Sequence, residues 1–309
     1  MNAQVTPPAQ AAGALFVLAL LVTTVAAAQM YPPPPAVWPP PPAYAYATAA
    51  PSSDEVSDFV SRITQSTRFD RGTIARWRAP LCFDVEGLPE SESRFVVERL
   101  SQIASYAGAP LQGEGCSKST SNFHVVFTLN AEQVARRWYA HHRDLFESNG
   151  SQTQINRFVR PPSPGAVRVW HNATLFGTDG HPLVAVDPAD PVESVPHLDD
   201  TGSRLHSRGV IGLNYAVIII DGRRANGAGL APLADYAAMA GLAELDLGAD
   251  LGHDPTILRL FTAAANDRPM GVTAWDQAFL GELYHSDQSS RNLRAQLAAT
   301  VAHDVSGLP

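Results

Sequence analysis

Apolar residues recur along residues 54–309 with the spacings typical of amphipathic helices and of half-buried strands. In the first half, these spacings predict helices over 54–68, 89–107 and 131–145 and strands over 81–85 and 123–129. Gly108 is expected to end the second helix, and Asn130 is suited to cap the third. The first half is therefore predicted to form a β-α-β-α unit behind an N-terminal helix.

The second half begins with strands and ends with helices. Strands are predicted over 167–175, 183–186 and 215–220, and helices over 230–247, 254–265, 274–284 and from Ser289 or Ser290 to His303. The continuous apolar run over 215–220 is typical of a central strand. Thr273 and Asp276 have the spacing of a capping box. The order predicts one α+β domain over residues 54–309, with a mixed sheet and a helical C-terminal third.

An apolar run from Gly13 to Ala28 precedes this domain. It ends in three alanines just before Gln29, which is typical of a cleaved secretory signal peptide over residues 1–28. The alternative is an uncleaved anchor, although the run is shorter than the ~20 residues that a spanning helix needs. Cleavage predicts a periplasmic or secreted protein without a membrane span in the mature chain.

Residues 29–53 contain two runs of proline, Pro32 to Pro35 and Pro39 to Pro42. Such a density favours extended chain that cannot build a packed core, which predicts a disordered Pro-rich linker. The alternative is a ligand for a groove that binds proline-rich peptides.

The formal net charge of -8 narrows the classes of partner that the chain is expected to bind. An acidic balance argues against a nucleic-acid surface and against adhesion to anionic lipid. The expected partner is instead a protein or another envelope component, and no sequence pattern indicates a cofactor.

The chain has two cysteines, Cys82 and Cys116. In an exported protein, such a pair predicts one disulfide, and the alternative is two buried free thiols. Two cysteines alone do not make a zinc site.

The sequence contains no recognised catalytic motif. The sequence lacks G-x-S-x-G, a P-loop and G-x-G-x-x-G, and the segment from Asn226 to Gly229 is interpreted as a turn. The adjacent His141 and His142 are interpreted as an exposed helix face. Four candidates for acid-base catalysis remain in the region 165–210, and their spacing fits no metal-ligand pattern: His171, His181, His197 and His206.

The helix over 230–247 resembles the active-site helix of zincin metallopeptidases in its length and its small residues, and the order of elements is similar too. The three positions of the zincin motif H-E-x-x-H would be Asp235, Tyr236 and Met239 in this chain. Zinc needs the two histidines, and the glutamate activates water. The resemblance thus implies a zincin-like fold without a metal or catalysis, and an unrelated α+β or α/β fold is the alternative.

The chain also resembles a group of exported proteobacterial proteins without an assigned activity. The segments that carry this resemblance are 75–80, 233–239 and 255–258. Two functional hypotheses follow. The first is a non-catalytic binding or envelope-associated protein, and the second is an extracytoplasmic hydrolase whose site is assembled from the four histidines.

Overall fold

A computed structural model describes residues 52–64, 74–148, 150–161, 165–176, 210–225, 227–287 and 293–306. The predicted signal peptide, nearly all of the predicted linker and the predicted strand over 183–186 lie outside these residues. None of the described helices is both long and apolar enough to cross a membrane.

In the part of the chain that the structure describes, helices outnumber strands and make up most of the C-terminal part. The helices are α1 (Ser53–Ile63), α2 (Glu90–Ala107), α3 (Ala131–His141), α4 (Arg143–Glu147), α5 (Gln152–Val159), α6 (Leu230–Leu242), α7 (Ala274–His285) and α8 (Leu293–Ser306). Two short 3₁₀ helices span Ile257–Arg259 and Ala265–Asp267. The strands are β1 (Arg76–Trp77), β2 (Phe83–Glu86), β3 (Phe123–Thr128), β4 (Val167–Phe176) and β5 (Val210–Asp221).

Strand β5 is the centre of a mixed sheet, as its apolar run predicts. It runs parallel to β3 on one side, and β3 in turn runs parallel to β2. The short β1 pairs in parallel with the first part of β5, and β4 pairs with β5 in the antiparallel sense on the other side. The predicted α+β class, the mixed sheet and the helical C-terminal third are confirmed.

Helices cover both faces of the sheet. Alternate residues of β3 and β5, such as Phe123 and Ile218, point into a large core that they share with α1, α2, α6, α7 and α8. The residues between them, such as Val126 and Ile219, belong to a smaller core beneath α3, α4 and α5. We refer to these two sides as the large-core face and the small-core face.

Local capping signals set several helix boundaries as the sequence predicts. Gly108 ends α2 with a φ of 82°, which lies in the left-handed region that glycine adopts without strain. The Asn130 side chain accepts a hydrogen bond from the Gln133 amide at the start of α3. Thr273 and Asp276 form the reciprocal capping box of α7.

Four predicted helices differ from the structure. Helix α1 ends at Ile63, not at 68, because Thr64 is extended and forms an isolated β-bridge. Helix α6 stops at Leu242, not at 247, because Ala243 and Leu245 extend to form isolated β-bridges with Arg76 and Thr64. The helix predicted over 131–145 breaks at His142, whose φ and ψ are not helical, and restarts as α4.

The segment 254–265 also differs from its prediction, since it holds a 3₁₀ turn where a helix capped by Asp254 was expected. Thr256 caps this turn instead. The buried Asp276 carboxylate accepts hydrogen bonds from the Thr256 hydroxyl and the Ile257 amide, and so it fixes the chain in the turn.

Gly241 lets the end of α6 approach the sheet closely. An added Cβ would overlap the ring of Phe123 and crowd the side chain of Ile218. We therefore expect Gly241→Ala to lower the free energy of unfolding by about 1 to 3 kcal/mol, because both neighbours are buried and held by close packing. Urea unfolding followed by circular dichroism measures the change.

Gly281 in α7 is the matched control, because an added Cβ there would have no described atom within 4 Å. Gly281→Ala is expected to raise the free energy of unfolding by about 0.5 to 1 kcal/mol through helix propensity. Equal effects of the two substitutions would contradict the close packing of α6 on the sheet.

Candidate functional site

Asp235, the first of the three zincin-motif positions, lies fully buried within an ion pair. Its Oδ1 accepts a hydrogen bond from Arg99 Nε at 2.5 Å, and its Oδ2 accepts one from Arg99 Nη2 at 2.7 Å. The backbone amide of Val272 also donates to Oδ2, at 2.8 Å. The carboxylate therefore ties α6 to α2 and to the segment before α7.

The other two motif positions, Tyr236 and Met239, are also buried. The ring of Tyr236 packs edge-on against Phe261 at 4.9 Å between centroids, and burial raises the pKa of its hydroxyl. Met239 is wholly enclosed in the large core. Among the described residues, no three His, Cys, Asp or Glu side chains are arranged to hold a metal ion.

Of the four candidate histidines, only His171 lies in the described part of the chain; His181, His197 and His206 lie outside it. The His171 Nε2 atom is 3.2 Å from the carbonyl oxygen of Gly241, to which it donates in the tautomer with a proton on Nε2. Burial lowers the pKa of His171 to about 4. His171 thus joins β4 to the end of α6 as a neutral imidazole.

The lowered pKa of His171 predicts a pH dependence of stability. A depressed histidine pKa stabilises the fold above the ordinary value of 6.5, and this contribution is lost as the pH falls toward 4. Asp276 acts in the opposite sense: burial raises its pKa to about 6, so its contribution is greatest at acid pH and is lost as the pH rises through 6.

His171→Gln isolates the contribution of His171 to the pH dependence of the unfolding free energy, because glutamine can still donate a hydrogen bond to the Gly241 carbonyl but does not titrate. The wild type is expected to lose about 2 kcal/mol of unfolding free energy relative to this variant between pH 7 and pH 4. Asp276 is common to both proteins and cancels in the difference. Urea unfolding across this range measures it, and a difference that is independent of pH would contradict the shift.

Cys82 and Cys116 form the predicted disulfide, with their Cα atoms 5.4 Å apart. Cys82 is buried just before β2, and its amide donates to the Asn122 side chain at 2.9 Å. The bridge therefore fastens the segment that precedes β3 to the start of β2.

Sequence reasoning missed a cluster on the small-core face that combines a carboxylate, two imidazoles and two larger rings: Asp84, His124, Trp138, His142 and Tyr215. We call it the imidazole–aromatic cluster. The His124 ring lies 5.2 Å from the rings of both Trp138 and Tyr215, between centroids. Trp138 Nε1 donates to the Tyr215 hydroxyl at 2.9 Å, and His142 packs on Trp138 at 5.3 Å.

The polar atoms at the centre of this cluster are incompletely satisfied. His124 Nδ1 is 3.5 Å from Asp84 Oδ2, and it is buried without a hydrogen-bond partner among the described residues. Burial lowers the pKa of His124, against the opposing effect of the Asp84 charge. Burial likewise lowers the pKa of His142 and raises that of Tyr215 to about 12. Neutral imidazoles beside a carboxylate can accept or donate hydrogen bonds to an incoming polar group.

The signal for this cluster was present but weak. His124 is a polar residue within the otherwise largely apolar run of β3. Trp138 and His142 are four residues apart, a spacing that places two residues on one side of a helix. The interpretation of His141 and His142 as an exposed helix face holds for His141; His142 is also exposed but stacks on Trp138.

Comparison with known proteins adds no relative, since no protein-family model, curated protein or solved structure matches the chain. The resemblances to zincins and to exported proteobacterial proteins stay predictions.

Proposed function

We propose that the chain is an exported protein, periplasmic or secreted, that acts by binding a protein or an envelope component and not by turnover. The observation that carries the proposal is the Cys82–Cys116 disulfide. Disulfides form and persist in oxidising compartments and are rare in the cytosol. The predicted signal peptide over residues 1–28 agrees with this location.

The use of polar groups on α6 supports binding over catalysis. The Asp235 carboxylate, which would have to face a metal or water in a zincin-like site, is engaged by Arg99 and Val272. Burial keeps Tyr236 in its neutral form, so it cannot serve as a base. These residues act in the packing of the domain.

The imidazole–aromatic cluster is the surface we assign to binding. Aromatic side chains that combine an apolar face with a polar atom contribute strongly to binding interfaces. In this cluster they surround His124, whose buried Nδ1 lies 3.5 Å from Asp84 Oδ2, and His142 is the exposed imidazole that a ligand can reach.

The compartment is tested by expressing the full chain in a Gram-negative bacterium and blocking free thiols with a maleimide at lysis. We expect the protein in the periplasm or the medium, beginning at Gln29 and with both cysteines unmodified. A Cys82→Ser variant, which must expose one thiol, verifies the labelling. Cytoplasmic protein with two free thiols would overturn the proposal.

Binding is tested by sedimenting the purified protein with the envelope fraction of the same bacterium. His124→Gln with His142→Gln should reduce the sedimented fraction, whereas His303→Gln, an exposed histidine on α8, should leave it unchanged. Equal sedimentation of all three proteins would refute the assigned surface.

A further inference from the structure

Five arginines gather at one edge of the small-core face, where β3 and β5 end. They are Arg136, Arg160, Arg168, Arg223 and Arg224, and the carboxylates that pair with them among the described residues are Glu132 and Asp221. We call this group the arginine cluster. It has an excess of three positive charges in a chain whose net charge is -8, so the acidic composition hides a basic site.

The position of the cluster in the fold is one at which α/β proteins bind ligands. Strands β3 and β5 are parallel neighbours, and Gly222 just after β5 donates to the Thr128 carbonyl at the end of β3. The chain leaves β3 for α3 on the small-core face and leaves β5 for α6 on the large-core face. Such a divergence at the carboxyl ends of neighbouring strands is the usual place of a ligand crevice.

The arginines at this edge have few counter-charges. Arg224 Nη1 is 2.7 Å from Asp221 Oδ2, and Arg223 Nε is 3.6 Å from Asp221 Oδ1, so one buried carboxylate serves both. Arg136 pairs with Glu132, and Arg160 Nε reaches the same carboxylate only at 4.0 Å. The exposed guanidinium groups therefore retain donors for an additional anion.

Arg168 supplies a second, independent observation. Its side chain is buried, and two of its contacts are the carbonyl oxygens of Phe158 and Val159 at the end of α5. Its Nε has no hydrogen-bond partner among the described residues. Burial lowers the pKa of Arg168, the charges of Glu132 and Asp221 oppose this effect, and those of Arg224 and Arg136 add to it. An anion bound at the cluster would add an acceptor and further negative charge beside this buried guanidinium group.

We propose that the arginine cluster binds the phosphate group of an anionic ligand. Planar guanidinium groups match the oxygens of phosphate in pairs, and several converging arginines are the usual arrangement for this chemistry. Helix α3 also begins at this edge, and the positive end of its dipole adds to the attraction. This inference goes beyond the proposed function, because it concerns a second site, at the other end of β3 from the imidazole–aromatic cluster.

The test compares two variants that each lose two positive charges. Arg136→Gln with Arg223→Gln removes exposed members of the cluster, and Arg94→Gln with Lys118→Gln removes exposed cations that pair with Glu90 and Glu86 elsewhere. Isothermal titration of the purified, oxidised protein with inorganic phosphate and pyrophosphate at low salt measures binding. We expect binding to weaken about 10-fold or more in the cluster variant and to stay within about 2-fold of wild type in the control.

Vesicles distinguish the two sources of the phosphate group. Cluster-dependent binding to phosphatidylglycerol vesicles but not to phosphatidylcholine vesicles identifies a lipid headgroup, whereas binding of free phosphate alone identifies a phosphorylated solute. Equal loss in both variants, or the absence of any binding by the wild type, would overturn the inference. The titration does not depend on the compartment, so a cytoplasmic location would refute the proposed function and leave the phosphate site intact.

Discussion

Asp235→Ala is expected to lower the free energy of unfolding by about 3 to 5 kcal/mol, because it leaves the Arg99 guanidinium buried without its carboxylate. Both side chains are almost fully enclosed, at 4% and 1% exposure. The substitution also removes the acceptor of the Val272 amide, which lies in the core. Loss of a buried charge partner is among the most costly single changes in a protein.

Urea unfolding followed by circular dichroism measures this effect, and the pair Arg94–Glu90 provides the control. Glu90 is exposed on α2, and Glu90→Ala should change the unfolding free energy by less than about 0.5 kcal/mol. Replacing both buried partners, as in Arg99→Met with Asp235→Leu, should recover part of the loss because no buried charge remains. A loss below about 1 kcal/mol for Asp235→Ala would contradict a structural role for the pair.

The fold was predictable where the signal is local. The end of α2 at Gly108, the cap at Asn130 and the capping box of α7 each depend on residues within one turn of the helix boundary. The central strand was predictable as well, because a continuous apolar run has few alternatives to burial on both faces.

Predictions failed where distant residues decide the local conformation. Helix α6 ends early because Ala243 and Leu245 pair with residues far away in the sequence. The turn after Asp254 depends on Asp276, whose carboxylate accepts a hydrogen bond from the Ile257 amide, 19 residues away in the sequence. Helix propensity and a favourable cap cannot compete with a tertiary hydrogen bond in the core.

The candidate sites were harder to predict than the fold for the same reason. Arg99 and Asp235 are separated by 136 residues, so the structural use of the first zincin-motif position cannot be inferred from the motif alone. The imidazole–aromatic cluster combines residues from three strands, β2, β3 and β5, with residues from α3 and its C-terminal end. The arginine cluster is masked by the acidic net charge, since composition averages over faces that the fold separates.

The Cys82–Cys116 disulfide is expected to contribute about 3 to 4 kcal/mol to stability, because the closed loop restricts the unfolded chain. The bridge acts in a segment with further links to the start of β2. Leu81 exchanges backbone hydrogen bonds with Pro110 and Gln112, at 2.8 and 2.9 Å, and Lys118 forms an ion pair with Glu86. Because reduction removes the covalent link of this segment to β2, we expect residues 109–121 to loosen before the sheet unfolds.

Thermal melts with and without reductant measure the contribution, and we expect Tm to fall by several degrees on reduction. Cys82→Ser with Cys116→Ser should melt near the reduced wild type and should not respond to reductant, which separates the bridge from other effects of the reagent. Hydrogen exchange should show faster exchange in residues 109–121 while β3 and β5 stay protected. Identical melting of the oxidised and reduced proteins would mean that the hydrogen bonds of Leu81 and the packing of β2 hold this segment without the bridge.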